Sequence, residues 1–234
     1  MNKTLVITGA SKGIGLATAQ LFSENGYRVI NLSRTACPVP SAVNLAVDLL
    51  DLDWPAQWGA ELRGELGDAE QVVLIHNAAM LTKESVRDID AQNLRDVLQL
   101  NVVAAAQLNT LVIPVMGNGS SIVYVSSTLG TKAVANTHAY VVSKHAVIGQ
   151  MRATCQDLAG SLIHTAAVCP GFTETEMLKD HLEQHPEVYK QIASTVAQGR
   201  LVQPGEIADT LWFCSQNPVI NGAVIDANLG QIER

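Results

Sequence analysis

A tyrosine and a lysine four residues apart, Tyr140 and Lys144, are suited to moving a proton to or from a bound molecule. In a helix, residues at positions i and i+4 lie on one face, one above the other. A phenol has a pKa of about 10, and a neighbouring ammonium stabilises the phenolate and lowers that value. Of the four tyrosines, only Tyr140 has a lysine at this spacing. The pair is therefore a candidate acid–base site for work near neutral pH.

A glycine-rich turn near the N-terminus is a candidate anion site. Residues 8–15 read TGASKGIG and lie between an apolar stretch and a helical pattern. Gly9 permits a tight exit from a strand, Gly13 lets the backbone approach a pyrophosphate, and Gly15 allows close helix–strand packing. The helix N-terminus offers free N–H groups to phosphates. The GxxxGxG spacing departs from the common GxGxxG fingerprint, and a merely flexible turn is the alternative.

Two cations lie at positions where dinucleotide-binding proteins distinguish NAD from NADP by the adenosine ribose. An acidic residue about 20 positions after the glycines favours NAD, whereas an arginine favours the 2′-phosphate of NADP. Here no Asp or Glu occurs between Glu24 and Asp48, and the second predicted strand ends near Arg34. Arg34 and Lys12 together predict NADP(H). The alternative is that both are ordinary surface charges.

Strand and helix patterns that alternate along the chain would position these sites. Predicted strands cover 4–8, 27–32, 43–47, 71–75, 122–125, 163–168 and 223–225. Predicted helices cover 14–23, 52–67, 91–115, 139–158 and 205–214. The alternation predicts one α/β domain over 1–234, a Rossmann-like doubly wound parallel sheet of about seven strands with helices on both faces. Ligands of such sheets bind at the carboxyl ends of the strands.

Composition excludes several classes of protein. The hydrophobic fraction of 47% opposes disorder, and a net charge of −7 without a basic cluster opposes binding of nucleic acid or anionic lipid. We expect no membrane-spanning segment, because no apolar run approaches the required length, and no signal peptide. The widely spaced Cys37, Cys155, Cys169 and Cys214 form no CxxC pair. We therefore expect buried free thiols, no metal site and a cytoplasmic location.

The order of motifs resembles that of the short-chain dehydrogenase/reductase family. TGxxxGxG is followed by HNAA at 76–79, Asn101, Ser127, YxxxK at 140–144 and a Pro-Gly turn at 170–171. The resemblance spans essentially the whole chain. It implies an NADP-preferring oxidoreductase with the catalytic residues Asn101, Ser127, Tyr140 and Lys144.

The resemblance also implies a role for each catalytic residue. Ser127, thirteen positions before Tyr140, would hydrogen-bond the reacting oxygen; a frame shifted by one would select Ser126 instead. Lys144 would also hold the nicotinamide ribose. Asn101 would hold a water in a proton relay, or would make a structural hydrogen bond, and both can be true.

A larger set of residues is implied to contact the cofactor. Asp48 would contact adenine or, alternatively, cap a helix, and Asn77 would fix the sheet and the adenosine side. Gly171 would let the backbone pass near the nicotinamide, and Thr175 would touch its carboxamide or a phosphate. The implied contacts are Gly9, Ser11, Lys12, Gly13, Ile14, Gly15, Ser33, Arg34, Asp48, Leu49, Asn77, Ala78, Tyr140, Lys144, Pro170, Gly171, Thr173 and Thr175.

The segment of about 172–203 is predicted to be a lid over the substrate. Met177, Leu178 and His181 would line the pocket or pack within the lid. His138 is expected to be an exposed or substrate-lining residue rather than a general base.

The reaction implied is hydride transfer between NADP(H) and a small ketone, aldehyde or secondary alcohol, with Tyr140 as acid or base. A non-catalytic NADP(H)-sensing regulator and a nucleotide-sugar epimerase or dehydratase are the alternatives. The resemblance further implies a homotetramer or homodimer built on the helices that contain Asn101 and Tyr140. The identity of the substrate stays open.

Overall fold

The computed structural model describes residues 2–175 and 186–231. Its parallel strands form one seven-stranded sheet in the order β3-β2-β1-β4-β5-β6-β7. The strands are β1 Lys3–Thr8, β2 Arg28–Leu32, β3 Val43–Leu45, β4 Gln71–His76, β5 Ser121–Val125, β6 His164–Pro170 and β7 Ala223–Ala227. The predicted Rossmann-like sheet is therefore confirmed.

The helices cover both faces of this sheet. They are α1 Gly13–Glu24, α2 Trp54–Leu66, α3 Ala91–Leu98, α4 Ala104–Val112, α5 His138–Asp157, α6 Pro186–Ala193 and α7 Pro204–Gln216. A π-helical turn, Gln99–Val103, joins α3 to α4, so the long helix predicted over 91–115 contains an irregularity that its periodicity did not reveal.

Alternate residues of each strand enter two separate cores. In β1, Val6 packs into the core beneath α2, α4 and α5, whereas Leu5 and Ile7 pack into the core beneath α1 and α7. Strands buried on both faces read as continuous apolar runs, which is why the sequence displays them so clearly.

The strand order reverses beside β1, which has β2 on one side and β4 on the other. The chain leaves the carboxyl ends of β1 and β4 toward opposite faces of the sheet, which opens a crevice between them. Both the glycine turn and the HNAA segment begin at this crevice.

The expectation that all four thiols are buried is wrong for Cys155, whereas the expectation of no membrane-spanning segment stays a prediction. The continuous helical run Ala91–Val115 is long and apolar enough to cross a membrane by length and composition, with a mean hydropathy of 1.4 in its most apolar window. The core helix of a globular domain passes the same test, and Val97 and Leu108 of this run are fully buried against the sheet domain. Cys155, near the C-terminal end of α5, is partly exposed, whereas Cys37, Cys169 and Cys214 are buried.

Candidate active site

The glycine turn needs glycine for two different physical reasons. Gly9 and Gly13 have φ angles of +72° and +56°, a region in which a side chain is strained. Gly15 has no space for a side chain, because a Cβ there would lie 2.2 Å from the carbonyl oxygen of Gly9 and 2.6 Å from Nδ2 of Asn77. The close packing expected at Gly15 is thus present.

Side chains from β1, from β2 and from the residue that follows β4 hold this turn in place. Asn77 donates from Nδ2 to the carbonyl oxygens of Thr8 and Gly9, at 2.9 and 3.0 Å. Thr8 Oγ1 accepts hydrogen bonds from the backbone N–H groups of Asn77 and Ala78. Asn31 on β2 accepts from the N–H of Ala10. Asn77 therefore ties the end of β4 to the end of β1, and its expected contact with the adenosine side stays a prediction. Asn31 is a supporting residue that the sequence did not indicate.

A groove of about 420 Å³ opens above the turn. The predicted cofactor residues that line it are Gly9, Ser11, Lys12, Gly13, Ile14, Gly15, Ser33, Arg34, Asp48, Leu49, Asn77, Ala78 and Thr175. Further lining comes from Leu32, Val47, Leu50, Ala79, Met80 and Leu100, which the sequence analysis did not single out.

The groove suits an anionic ligand. Its wall includes the N-terminus of α1, which carries no acidic residue in its first turn and no side-chain cap, so the first N–H groups can bind phosphate oxygens. Lys12 and Arg34 are exposed at the same groove. The residues present therefore fit the diphosphate and 2′-phosphate of a dinucleotide.

Asp48 lies at the groove and not at a helix end. Its Oδ1 accepts the N–H of Leu50 at 3.0 Å, which stabilises a turn before α2. The N-cap of α2 is Asp53, so the alternative interpretation of Asp48 as that cap is wrong.

The tyrosine, the lysine and a serine come together at the carboxyl end of β5. A hydrogen bond joins the side chains of Ser127 and Tyr140. Lys144 Nζ lies 5.5 Å from the centroid of the Tyr140 ring and donates to the carbonyl oxygen of Val125 at 2.8 Å. Ser126 points elsewhere and donates to the carbonyl oxygen of Lys144, so Ser127 is the serine that faces the tyrosine.

Burial changes the electrostatics expected of this pair. Burial raises the pKa of Tyr140, and the hydrogen bond with Ser127 offsets only part of that rise. Burial also lowers the pKa of Lys144 to about 8, although the nearby Cys169 thiol opposes the shift. The expected lowering of the Tyr140 pKa by Lys144 is therefore wrong for this structure, because desolvation by burial is the largest effect on the phenol and raises its pKa.

Asn101 lies in the π-helical turn and braces the tyrosine helix. Its side chain exchanges hydrogen bonds with the backbone N–H and carbonyl of Met80, at 2.9 and 3.0 Å. It also donates to Ser143 Oγ, which in turn donates to the carbonyl oxygen of Tyr140. The structural hydrogen bonds predicted for this buried amide are present.

A small cavity lies behind the lysine. Its volume is about 10 Å³, close to the space that one water occupies. Lys144, Asn101, His76 and Thr8 contribute to its lining, and it shares Leu49, Ala78 and Leu100 with the larger groove. The acid–base cluster and the anion groove are therefore adjacent.

His76, the first residue of the HNAA segment, is part of a buried polar chain. Its Nε2 pairs with Asn109 Oδ1 at 2.8 Å, and Asn109 donates to the hydroxyl of Tyr124. Burial lowers the pKa of His76 to about 4, so the imidazole is neutral near pH 7. The buried imidazole therefore adds no charge beneath the sheet end near pH 7.

The Pro-Gly turn begins at Pro170, the last residue of β6, and Pro170, Gly171 and Thr173 do not line the groove, whereas Thr175 does. Pro170 pairs with Ala227 of β7, and a Cβ at Gly171 would lie 2.8 Å from Cβ of Asn228. The close approach that demands glycine here is thus made by the chain itself. Thr173 forms a bridge with Val202 and donates from Oγ1 to the carbonyl oxygen of Gly171.

The predicted lid is described in part. Residues 176–185, including Met177, Leu178 and His181, lie outside the described residues. The remaining parts pack on one another, with Leu201 and Ala193 forming a small core of their own. His138, the first residue of α5, is partly exposed.

One carboxylate near the site carries no sequence signal. Glu84, in the loop after β4, is buried, and its Oε1 accepts the N–H of Ala139 at the start of α5. It lies 55 positions from Ala139, and no local motif predicts such a contact. Proton transfer at Tyr140 beside an anion-binding groove is the chemistry that the whole arrangement supports.

Comparison with known proteins agrees with this geometry. A family described as enoyl-(acyl carrier protein) reductase matches residues 9–231. The chain is 30% identical to the 3-oxoacyl-[acyl-carrier-protein] reductase of Thermotoga maritima, over 98% of each chain. It is 28% identical to a human protein of the same description, over 96% of each.

A solved structure extends the likeness to three dimensions. The ligand-free aldohexose dehydrogenase of Thermoplasma acidophilum superposes with a TM-score of 0.89 at 26% identity, over 98% of this chain and 94% of the other. The family uses nicotinamide cofactors for chemistry at CH–OH and C=O groups. The fold, the order of motifs and these relatives together establish that this chain belongs to the short-chain dehydrogenase/reductase family and is an NAD(P)-dependent oxidoreductase.

Proposed function

We propose that this protein is an NADP(H)-dependent carbonyl reductase or alcohol dehydrogenase. It would interconvert a small ketone or aldehyde with its alcohol, with Tyr140 as the acid–base group. The observation that carries the proposal is the contact of Ser127 with Tyr140, with Lys144 over the tyrosine ring, beside a groove built for phosphates.

The preference for NADP(H) rests on Lys12 and Arg34. Both are exposed, both line the groove, and Arg34 follows β2 where the adenosine ribose of a dinucleotide would lie. Asp48 also lines the groove, but it is committed through Oδ1 to the N–H of Leu50. Two cations therefore favour a phosphate over a free ribose hydroxyl.

Each residue of the cluster has a task that follows from its position. Bound nicotinamide supplies or accepts the hydride. Ser127 hydrogen-bonds the substrate oxygen and shares the charge that develops on it. Tyr140 donates the proton to that oxygen in reduction and takes it back in oxidation. Lys144, with its Nζ over the tyrosine ring, would stabilise phenolate that forms when the proton leaves.

The proton that Tyr140 gives up would be replaced through the small cavity behind Lys144. The cavity of about 10 Å³ lies between Lys144 and Asn101, and it has room for about one water. Asn101 would thus serve both as the brace described above and as part of a relay.

The segment 172–203 is proposed to cover the substrate. Its two ends are held together, since Glu174 donates its N–H to the carbonyl of Val202 and Val202 donates to that of Phe172.

The test is a panel of ketones, aldehydes and 3-oxoacyl thioesters, scored by oxidation of NADPH and of NADH in parallel. We expect turnover of at least one carbonyl compound with NADPH preferred. Tight NADPH binding without turnover of any compound would favour the sensor alternative. Equal use of both cofactors would overturn the NADP(H) assignment.

A further inference from the structure

The helix that carries Tyr140 begins without a cap of its own. The first four N–H groups of a helix have no partner within it and need one from elsewhere. Thr137 occupies the N-cap position of α5, but its hydroxyl donates to the carbonyl oxygen of Val134 and caps nothing. The partners of the first N–H groups must come from another part of the chain.

Glu84 supplies two of these partners. Its carbonyl oxygen accepts the N–H of His138 at 3.3 Å, and its Oε1 accepts the N–H of Ala139 at 2.8 Å. The residue is 8% exposed, so the two bonds lie largely out of water. One residue of the β4–α3 loop therefore fixes the first turn of α5.

Glu84 is itself held in place from the other side. Asn93, on α3, donates from Nδ2 to Glu84 Oε2 at 3.2 Å and to Thr82 Oγ1 at 3.1 Å. Burial favours the neutral acid, but hydrogen bonds from Thr82, Ala139 and Asn93 outweigh it and leave the pKa of Glu84 below its usual value. The side chain is thus an ionised acceptor at the positive end of a helix.

Tyr140 follows Ala139 directly, so a movement of the first turn moves the phenol. The phenol must meet Ser127, which belongs to a different element, at the end of β5. We propose that Glu84 is a positioning residue for Tyr140, which it holds against Ser127 by anchoring the start of α5. The inference rests on the proposed function, in which Tyr140 transfers the proton.

Asn101 does not duplicate this role. Its contact through Ser143 reaches the carbonyl oxygen of Tyr140 from the following turn of the helix. Glu84 and Asn101 therefore hold the tyrosine from its N-terminal and C-terminal sides. Loss of the Glu84 contacts leaves those of Asn101 in place, so α5 should persist while its first turn loosens.

Four variants test the proposal. Glu84→Ala removes the acceptor. Glu84→Asp keeps the charge but withdraws the acceptor by one methylene. Glu84→Gln keeps an acceptor at the same reach without the charge. Asp88→Ala is the matched control, because Asp88 is an exposed carboxylate of the same loop whose bonds are to Ser85.

We expect kcat to fall about 10-fold to 100-fold in Glu84→Ala, since small misplacements of a reacting group cost this much. Glu84→Asp should lose more activity than Glu84→Gln, which should stay within about fivefold of the wild type, because acceptor reach and not charge is decisive. NADPH affinity should be unchanged throughout, and Asp88→Ala should match the wild type. A kcat for Glu84→Ala within twofold of the wild type, or the order Gln below Asp, would overturn the proposal.

Hydrogen exchange at the N–H groups of His138 and Ala139 separates this inference from the proposed function. The exchange rate should increase in folded Glu84→Asp and Glu84→Ala and should stay at the wild-type value in Glu84→Gln. If the wild type reduces no carbonyl compound, the proposed function fails, while this exchange pattern still tests the anchor. Unchanged exchange in every variant would refute the anchor whatever the turnover.

Discussion

Reversing the charge at Arg34 should separate the two nicotinamide cofactors. Arg34 is exposed at the groove, so water and salt screen its charge, and its bond to a phosphate belongs at the lower end of the range of about 1.5–3 kcal/mol for charged hydrogen bonds. Since about 1.4 kcal/mol is a tenfold change in Kd, Arg34→Ala should weaken NADPH roughly 10-fold. Arg34→Asp adds repulsion and should weaken it roughly 100-fold.

NADH lacks the 2′-phosphate, so its Kd should change by less than about threefold in both variants. The assay is a fluorescence titration of each cofactor, repeated at low and high salt, with the NADPH effect shrinking as salt rises. Arg63→Asp, the same change at an exposed position of α2 outside the groove, is the control. Equal losses for NADPH and NADH in Arg34→Asp would refute the reasoning.

Three further predictions follow from the geometry. Gly15→Ala should lower both the Tm and NADPH affinity, because its Cβ would lie 2.2 Å from Gly9 O. Gly149→Ala is the control and should change neither, because a Cβ there meets nothing within 4 Å. Equal Tm values for the two variants would count against the steric argument. Burial lowers the pKa of Lys144 from 10.5 to about 8, so between pH 8 and pH 10.5 the unfolded chain binds more protons than the folded protein. The free energy of unfolding should therefore rise with pH across that window, by up to about 1.4 kcal/mol per pH unit. Urea unfolding should show this rise in the wild type and not in Lys144→Met, and a flat wild-type profile would be evidence against it. The homotetramer or homodimer that the family resemblance implies would use the helices of Asn101 and Tyr140. Val142→Asp, at a residue of α5 that is 40% exposed, should then reduce the mass measured by light scattering. An unchanged mass would place the interface elsewhere.

The sheet was predictable because its strands are buried on both faces. Runs such as Leu5–Ile7 are apolar at consecutive positions, and the intervening helices separate them at regular intervals. The π-helical turn at Gln99–Val103 was not predictable, because the residues there continue the apolar helical pattern. Asn101 within this turn is held by Met80 and Ser143, which are far from it in the sequence.

The candidate site was predictable where a local pattern carries it. Glycine spacing reveals the turn at 8–15, and helical spacing unites Tyr140 with Lys144. Strand alternation placed Ser126 and Ser127 on opposite sides but could not say which side faces the tyrosine, since that depends on packing against α5. Glu84 was missed because its contact with Ala139 joins residues 55 positions apart.

Electrostatics was the least predictable part of the site. The Tyr140 pKa is raised because desolvation by burial outweighs the hydrogen bond with Ser127, and the sequence shows neither the burial nor that contact. The low pKa of His76 likewise follows from its burial in the folded protein, which no single motif predicts.

Tyr140→Phe tests the central claim most directly, because it removes one hydroxyl and keeps the ring that lies beside Lys144. Turnover of a carbonyl compound that the wild type reduces with NADPH should fall by roughly 100-fold to 10,000-fold, the range for loss of an acid–base group. NADPH affinity should stay within about threefold, since the groove is lined by other residues. Turnover of the variant within tenfold of the wild type, at unchanged NADPH affinity, would contradict the assignment of Tyr140 as the proton donor.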